Sequence, residues 1–409
     1  MSRPPAPPAP RSAVRAPARP SSALPTRRAF LGVLGAVGAV SLLTACSELP
    51  FGGTGRGRDG ASSDAHSDAF GRPAQRDRAV MGSTERTTAR VGLILGPPSM
   101  GLSRFLLAAE AGQTHHTFEV EVTGVDFATL AARFNQGDFD IVTLPSNIGA
   151  VLYNNTDIKT EVEVISVGNL GVLYGVTTDP GVGTLADLRG RTVYSIGQNG
   201  TPEYTIAAVL DGHGLSEEVD MAYRSTPFEV LNLLQNEPNA IAVLPQPFVE
   251  LARTMVPSLH VPIDITQAWD AMPTNTAASQ AVTTHTIVNR SFLEQHEAAV
   301  IEYLQQVGAS VDFTLDNIAE AAAVQEKLGT FLNNDVAAAA MPFCSIVNLT
   351  GEVMHEALSG FLAAIHAQNP AAVGGKLPGG DFYYMPPIGA LDADVRELVG
   401  GLDPAERRS

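Results

Sequence analysis

Four times in this chain a short apolar run ends in a break of Gly, Pro, Ser or Asn and is followed by apolar residues at helical spacing. A strand–loop–helix unit that repeats in this way constrains the fold more than any other feature, because it predicts parallel sheets whose strand ends share one side. Residues 91–95 lead into Gly96-Pro97-Pro98 and the helical set Leu102, Phe105, Leu106 and Ala109; residues 140–144 lead into Pro145-Ser146-Asn147 and then Ile148, Val151 and Leu152. Residues 192–196 lead through Gly197-Gln198-Asn199-Gly200 to a helix from Pro202 to about Asp211, and residues 240–244 lead to Pro245-Gln246-Pro247. The pattern restarts near Thr184, which divides the chain. Residues 91–177 with 283–409 form one lobe and 178–282 the other, and 281–289, alternating Val, Thr, His and Ile, crosses back. The rest is mostly helical: 292–307, 318–328, 336–340 and 351–367. The fold class is therefore α/β in two lobes, each a mostly parallel sheet flanked by helices.

Ahead of this body lies a leader rich in Pro, Ala and Arg, then Arg27-Arg28 and an uncharged run over 29–43 that ends Leu43-Thr44-Ala45-Cys46. A charged start, an apolar stretch and small residues make an export signal, and the run is shorter than the roughly 20 apolar residues of a spanning helix. Thr26-Arg27-Arg28-Ala29-Phe30-Leu31 resembles the twin-arginine signal and residues 43–46 resemble the lipobox of bacterial lipoproteins. That resemblance implies cleavage before Cys46, lipid on its sulfur, and a body held to the outer face of the cell membrane by lipid. Residues 47–90, rich in Gly, Ser, Arg and Asp, read as a disordered tether.

Of the 409 residues, those left after the signal and tether suffice for two lobes with separate cores. Lys and Arg number 26 against 43 Asp and Glu, and six of the arginines leave with the signal. So acidic a chain excludes nucleic acid as a partner, although backbone amides can still bind a small anion locally. Of the two cysteines, lipidation uses Cys46 and leaves Cys344 alone, which excludes a disulfide framework and fits a buried apolar side chain. The nine histidines form no His-x-x-x-His pair, and His115-His116 reads as solvent-exposed. No metal and no cofactor is expected.

In open parallel sheets ligands collect where strands turn into helices. The candidate contacts are therefore Ser99 and Met100 in the first loop, Ser146 and Asn147 in the second, Gln198, Asn199, Gly200, Thr201, Glu203 and Tyr204 around the third, and Gln246 in the fourth, with Asn169 and Trp269 beside them. Gly197–Pro202 is the strongest loop, since free amides and the helix dipole favour an anion or carbonyl oxygen; the same donors also serve an ordinary capped helix start. Ser99, Ser146 and Asn147 are either helix caps or ligand contacts. Glu203 either supports the first helical turn or, facing the cleft, favours an amine-bearing ligand. Tyr204 and Trp269 either stack on a flat ligand or pack in the core. No Gly-x-Ser-x-Gly, Walker, His-Glu-x-x-His or Cys-x-x-Cys motif is present, so no catalytic residue is assigned.

Gly137-Asp-Phe-Asp-Ile-Val142, Thr184-Leu-Ala-Asp-Leu-Arg-Gly-Arg-Thr-Val193, Gly200-Thr-Pro-Glu-Tyr204, Leu244-Pro-Gln-Pro-Phe248 and Ala372-Val-Gly-Gly-Lys376 resemble the type II periplasmic binding proteins. The nearest group in that resemblance is the nitrate, sulfonate, taurine and thiamine-precursor solute-binding lipoproteins of ABC importers. It implies two α/β lobes joined by two hinge strands and a monomer that captures a small organic solute by closure. It also implies delivery to a permease and its ATPase. A change at an interlobe Tyr or Trp is then expected to weaken binding without unfolding a lobe. The competing readings are an enzyme on the same fold, of menaquinone-pathway or thiamine-pyrimidine type, and a ligand-sensing lipoprotein without a transport role.

Overall fold

The computed structural model describes residues 77–124, 127–155, 160–273, 279–329 and 333–394, all in one compact unit. The export signal, Cys46 and residues 47–76 lie outside the described residues.

The first elements of the described residues are β1 (Thr88–Ile94), α1 (Pro97–Met100), α2 (Ser103–Glu110), β2 (Thr117–Thr123) and α3 (Phe127–Asn135), then β3 (Ile141–Pro145), α4 (Ser146–Asn154) and β4 (Val162–Leu170). The second lobe follows as β5 (Leu173–Thr177), β6 (Arg191–Ser195), α5 (Thr201–Gly212), β7 (Val219–Tyr223), α6 (Pro227–Asn236), β8 (Ile241–Pro245), α7 (Phe248–Met255), β9 (His260–Asp264) and α8 (Ile265–Asp270). The chain then returns through β10 (Val282–Asn289) and ends in α9 (Arg290–Asp316), α10 (Ile318–Lys327), α11 (Asn334–Ala340), β11 (Ile346–Leu349) and α12 (Gly351–Gln368). One sheet has the order β11-β4-β10-β3-β1-β2 and the other β7-β6-β8-β5-β9. The repeated units pair in parallel, β1 with β2 and β3, β6 with β7 and β8. The antiparallel strand inside each sheet is the one arriving from the other lobe: β10 in the first and β5 in the second.

The outgoing crossing falls earlier than the boundary at 177/178 expected from the sequence. Only Gly171 and Val172 separate β4 in one sheet from β5 in the other. Gly168-Asn169-Leu170 has the composition of a turn, yet it extends β4 because Asn169 is tied on three sides. Its amide donates to the carbonyls of Pro97 (3.3 Å) and Cys344 (3.0 Å), and its oxygen accepts from the Thr284 hydroxyl (3.0 Å). At Gly171 the chain passes so close to Thr266 that a Cβ would collide with its hydroxyl oxygen.

The lobes do not have wholly separate cores. Each sheet has a private core on one face, built on Phe105, Tyr303 and Leu304 in the first lobe and on Val230, Leu231 and Leu244 in the second. A third cluster runs without a break from Leu130 and Phe134 through Phe361 and Leu362 of α12 to Ile206, Val209 and Trp269. Here α12 packs its apolar face against those of α5 and α8, so the lobes share buried surface beside the crossings. Cys344 is fully buried, as expected, with its sulfur 3.8 Å from that of Met100. Burial, with the charge of Glu250 adding, pushes its thiol up to about 12.

Docked chain is also found before residue 90, where the tether was expected to end. Glu297 is fully buried and receives both Arg78 guanidinium nitrogens (2.6 and 2.7 Å), the Met81 backbone N–H (2.6 Å) and the Tyr384 hydroxyl (2.7 Å). The carboxylate becomes accessible to them because α9 breaks at His296 (φ −142°, ψ 42°), where Gly82 pairs as an isolated bridge. Gly82 has φ 72° and any Cβ there would strike the Gln295 carbonyl. The segment 77–87 is thus docked on one buried acid at its start, with Ser83 and Thr87 bonded further along to Gln295 and His116.

Two fully enclosed histidines, His116 and His285, are held neutral, and the expectation that His115-His116 is solvent-exposed fails at His116. Its Nδ1 accepts the Thr87 N–H at 3.2 Å, and burial first, with the neighbouring charges of His115, His296 and Arg86, lowers it to about 4. His285 of β10 lies against Gly149 of α4 with neither ring nitrogen paired among the described residues, and burial lowers it to about 3. A base whose folded value falls below its unfolded value near 6.5 stabilises the fold above that pH, and this stability is lost as the unfolded chain takes up protons on acidification. Glu163, raised by burial to about 7, acts in the opposite sense, favouring the fold as pH falls through that value. Substitution isolates the histidine. From pH 6.5 down toward 3, His285→Leu is expected to gain on the wild type by about 1.4 kcal/mol per pH unit in urea denaturation. Parallel pH profiles for the two proteins would contradict this.

Candidate functional site

Two helix starts from different lobes meet beside the crossings. The Thr201 hydroxyl, at the beginning of α5, donates to the Asn147 side-chain oxygen at the beginning of α4 (2.9 Å), and the Asn147 amide donates onward to the Ala372 carbonyl (3.1 Å). Both side chains are buried. Neither is the cap that its position suggested: α4 and α5 start after Pro145 and Gly200, without a side-chain cap. Ser146 next to them donates to the Val282 carbonyl of the returning crossing (2.5 Å), and the Thr283 hydroxyl donates to the Leu170 carbonyl of the outgoing one (2.6 Å). The two crossings and two helix starts are therefore laced into one polar seam.

Behind the seam is a cavity of about 50 Å³ lined by Gly171, Val172, Thr201, Thr205, Pro245, Thr266 and Thr283 among others. It is a small, mostly apolar space with threonine hydroxyls at its edges. The volume admits a few water molecules and is well below the roughly 300 Å³ or more that encloses an organic ligand. A further contact across the lobes is made by Tyr174 of β5, whose hydroxyl donates to the Phe343 carbonyl (3.0 Å) while the two rings meet edge to face.

The remaining sequence candidates divide by what holds them. Gln198 and Asn199 are exposed. Asn199 adopts φ 62°, and its N–H donates to the Glu203 carboxylate, so Glu203 serves the helix start and not the cleft. Gly200 is buried within the same turn, its N–H on the Gly197 carbonyl. Tyr204 is half-buried against the shared core, and burial first, then Glu203, raises its pKa. Ser99 is no N-cap: its hydroxyl turns back to the Gly96 carbonyl, while Gln325 donates to its carbonyl (2.9 Å). Met100 is packed against Cys344, and Asn169 is held by the three bonds described above. Trp269 is fully buried, with its ring tilted on Phe361 at 5.2 Å between centroids and its N–H directed to the Ser279 carbonyl (3.4 Å). It has no face left for a ligand.

Gln246 differs from all of these. Its backbone N–H is bonded to the Val172 carbonyl at the crossing (2.9 Å), and its side chain is buried. Its amide nitrogen reaches Glu250 at 3.4 Å, and its oxygen has no donor among the described residues. The cavity threonines 205, 266 and 283 were missed by the sequence reading, since isolated threonines in strands and helix starts carry no motif. Arg224, following β7, was missed as well; its guanidinium stacks on the Tyr194 ring, 4.8 Å from the centroid, and no carboxylate partner is found among the described residues. Also among them, no group of three or more His, Cys, Asp or Glu side chains is placed to hold a metal ion, and no helix is long and apolar enough to cross a membrane.

No family model matches the chain, and no curated protein matches it. Solved structures do. A structure of an ABC transporter from Parabacteroides distasonis aligns with a TM-score of 0.59 at 22% identity, over 73% of this chain and 98% of that one. The periplasmic aliphatic sulphonate binding protein SsuA from Escherichia coli gives 0.58 at 14% identity, over 74% and 93%. The ligand-binding component of an ABC-type import system from Staphylococcus aureus, solved with zinc bound, gives 0.54 at 14%, over 75% and 98%. Identities this low define a fold and nothing finer. The fold is that of the two-lobed periplasmic binding proteins.

Proposed function

We propose that this protein is the extracytoplasmic solute-binding component of an ABC importer, held at the outer face of the cell membrane by lipid on Cys46. The observation that carries the reading is the Asn147–Thr201 bond, which joins helix starts from opposite lobes directly over the two crossings. Groups so placed can hold a solute only while the lobes are together, so binding selects the closed arrangement by the energy of contacts made from both sides. The fold shared with binding components of transporters supports the same reading. Solute would be handed unchanged to a permease powered by its ATPase.

The test is a thermal-shift screen of the mature chain over sulfonates, amines, amino acids and vitamins, with mass spectrometry of the bound compound before and after incubation. A binder is stabilised by its own solute and returns it unaltered. Conversion of the solute to product would replace this reading with an enzyme. Thr201→Val removes the interlobe bond while keeping side-chain shape. It is expected to weaken solute binding about fivefold, the worth of one buried hydrogen bond near 1 kcal/mol, and to enlarge the unliganded radius of gyration in small-angle scattering.

A further inference from the structure

The oxygen of Gln246 is a buried acceptor that no donor among the described residues serves. The side chain is 2% exposed, so its oxygen is hidden from solvent, and a buried acceptor without a donor is unfavourable unless something else supplies one. Its orientation is fixed by chemistry. Turning the amide over would set its oxygen against the Glu250 carboxylate, which now accepts from its nitrogen at 3.4 Å. Glu250 itself is 15% exposed and, among the described residues, has Arg253, at 3.4 Å, as its one cationic partner. It faces the first lobe: α7, which carries it, packs against α11, and its charge acts on Cys344. A buried acceptor and a carboxylate thus stand one helical turn apart where the second lobe meets the first, beside the crossing to which Gln246 is bonded.

We propose that Gln246 and Glu250 form a subsite for an N–H donor, so that the solute is a small organic molecule bearing a protonated amine or an amidine. The inference rests on the solute-binding reading and narrows it. An ammonium or amidinium group donates to the Gln246 oxygen and the Glu250 carboxylate together, whereas an anion in the same place meets two acceptors, the nearby donors of Gln246 and Arg253 being already engaged by Glu250. The competing anchor for an anion is Arg224, whose guanidinium rests on Tyr194.

The experiment uses the full mature chain, with agmatine, putrescine and benzamidine as cationic probes and ethanesulfonate, nitrate and benzoate as anionic ones. Thermal shift ranks them and calorimetry measures the affinity of the best. The expected result is stabilisation by a cationic probe, an affinity at least tenfold weaker in both Gln246→Leu and Glu250→Gln, and no change in Arg224→Ala. Gln246→Leu also separates recognition from folding. It removes the orphaned oxygen, so it is expected to melt at or above the wild-type temperature while losing the probe. Stabilisation by an anionic probe that depends on Arg224 would overturn the inference and leave the solute-binding reading standing. Cation binding indifferent to both substitutions would overturn it too. If no probe of either class and no compound of the wider screen binds, the solute-binding reading falls and the inference falls with it.

Discussion

Replacing Glu297 with alanine is expected to destabilise the protein by about 3 kcal/mol, a large loss for one carboxylate. The acid is fully buried, and its removal strands the Arg78 guanidinium, the Met81 N–H and the Tyr384 hydroxyl together. Breaking a buried pair leaves the surviving charge uncompensated, which is why the loss exceeds that of a surface ion pair; the 29% exposure of Arg78 keeps it at the lower end of the range. The docked segment should come away first. Urea denaturation reads the loss of stability, and trypsin, cutting after Arg78 and Arg86, reads the release of the segment. Wild-type resistance to trypsin together with an unshifted urea midpoint would refute the clamp.

The second large effect is at Trp269, where alanine is expected to remove about 4 kcal/mol. The ring is wholly enclosed against Phe361 of α12, in the core that both lobes share, so its loss opens a cavity at the place where they are joined. This reverses the expectation from sequence that such a change would weaken binding and leave the lobes folded. The melting temperature should fall by several degrees with or without solute. An unchanged melting temperature with weaker solute binding would restore the ligand-stacking role.

The repeated strand–loop–helix units were legible because strands buried on both faces read as short unbroken apolar runs, and burial recurs every third or fourth residue along helices. Val91 and Leu93 enter one core and Ile94 another, and α12 lies where Met354, Leu358, Phe361 and Leu362 recur at helical spacing. The positions of the loops follow from that periodicity, and with them Asn147, Thr201 and Gln246. What each side chain bonds to does not follow. Asn169 looks like a turn residue until Pro97, Cys344 and Thr284 are brought around it from far along the chain, and Ser99 looks like a cap until Gly96 occupies that place. Trp269 could not be told from a ligand platform because its partner lies in α12, more than eighty residues away. The docking of 77–87 was hidden for a related reason. A polar segment reads as unstructured unless the acid that receives it, here Glu297, is known to sit at a break in a helix.

The docked segment joins the chain to the first lobe alone, since Arg78 and Met81 reach Glu297 and Tyr384, and neither reaches the second sheet. Whatever holds the upstream chain therefore grips one half of the molecule as a stator. In the proposed closure the other half, joined through Gly171-Val172, the return into β10 and the core shared with α12, would be the rotor that moves against this mount.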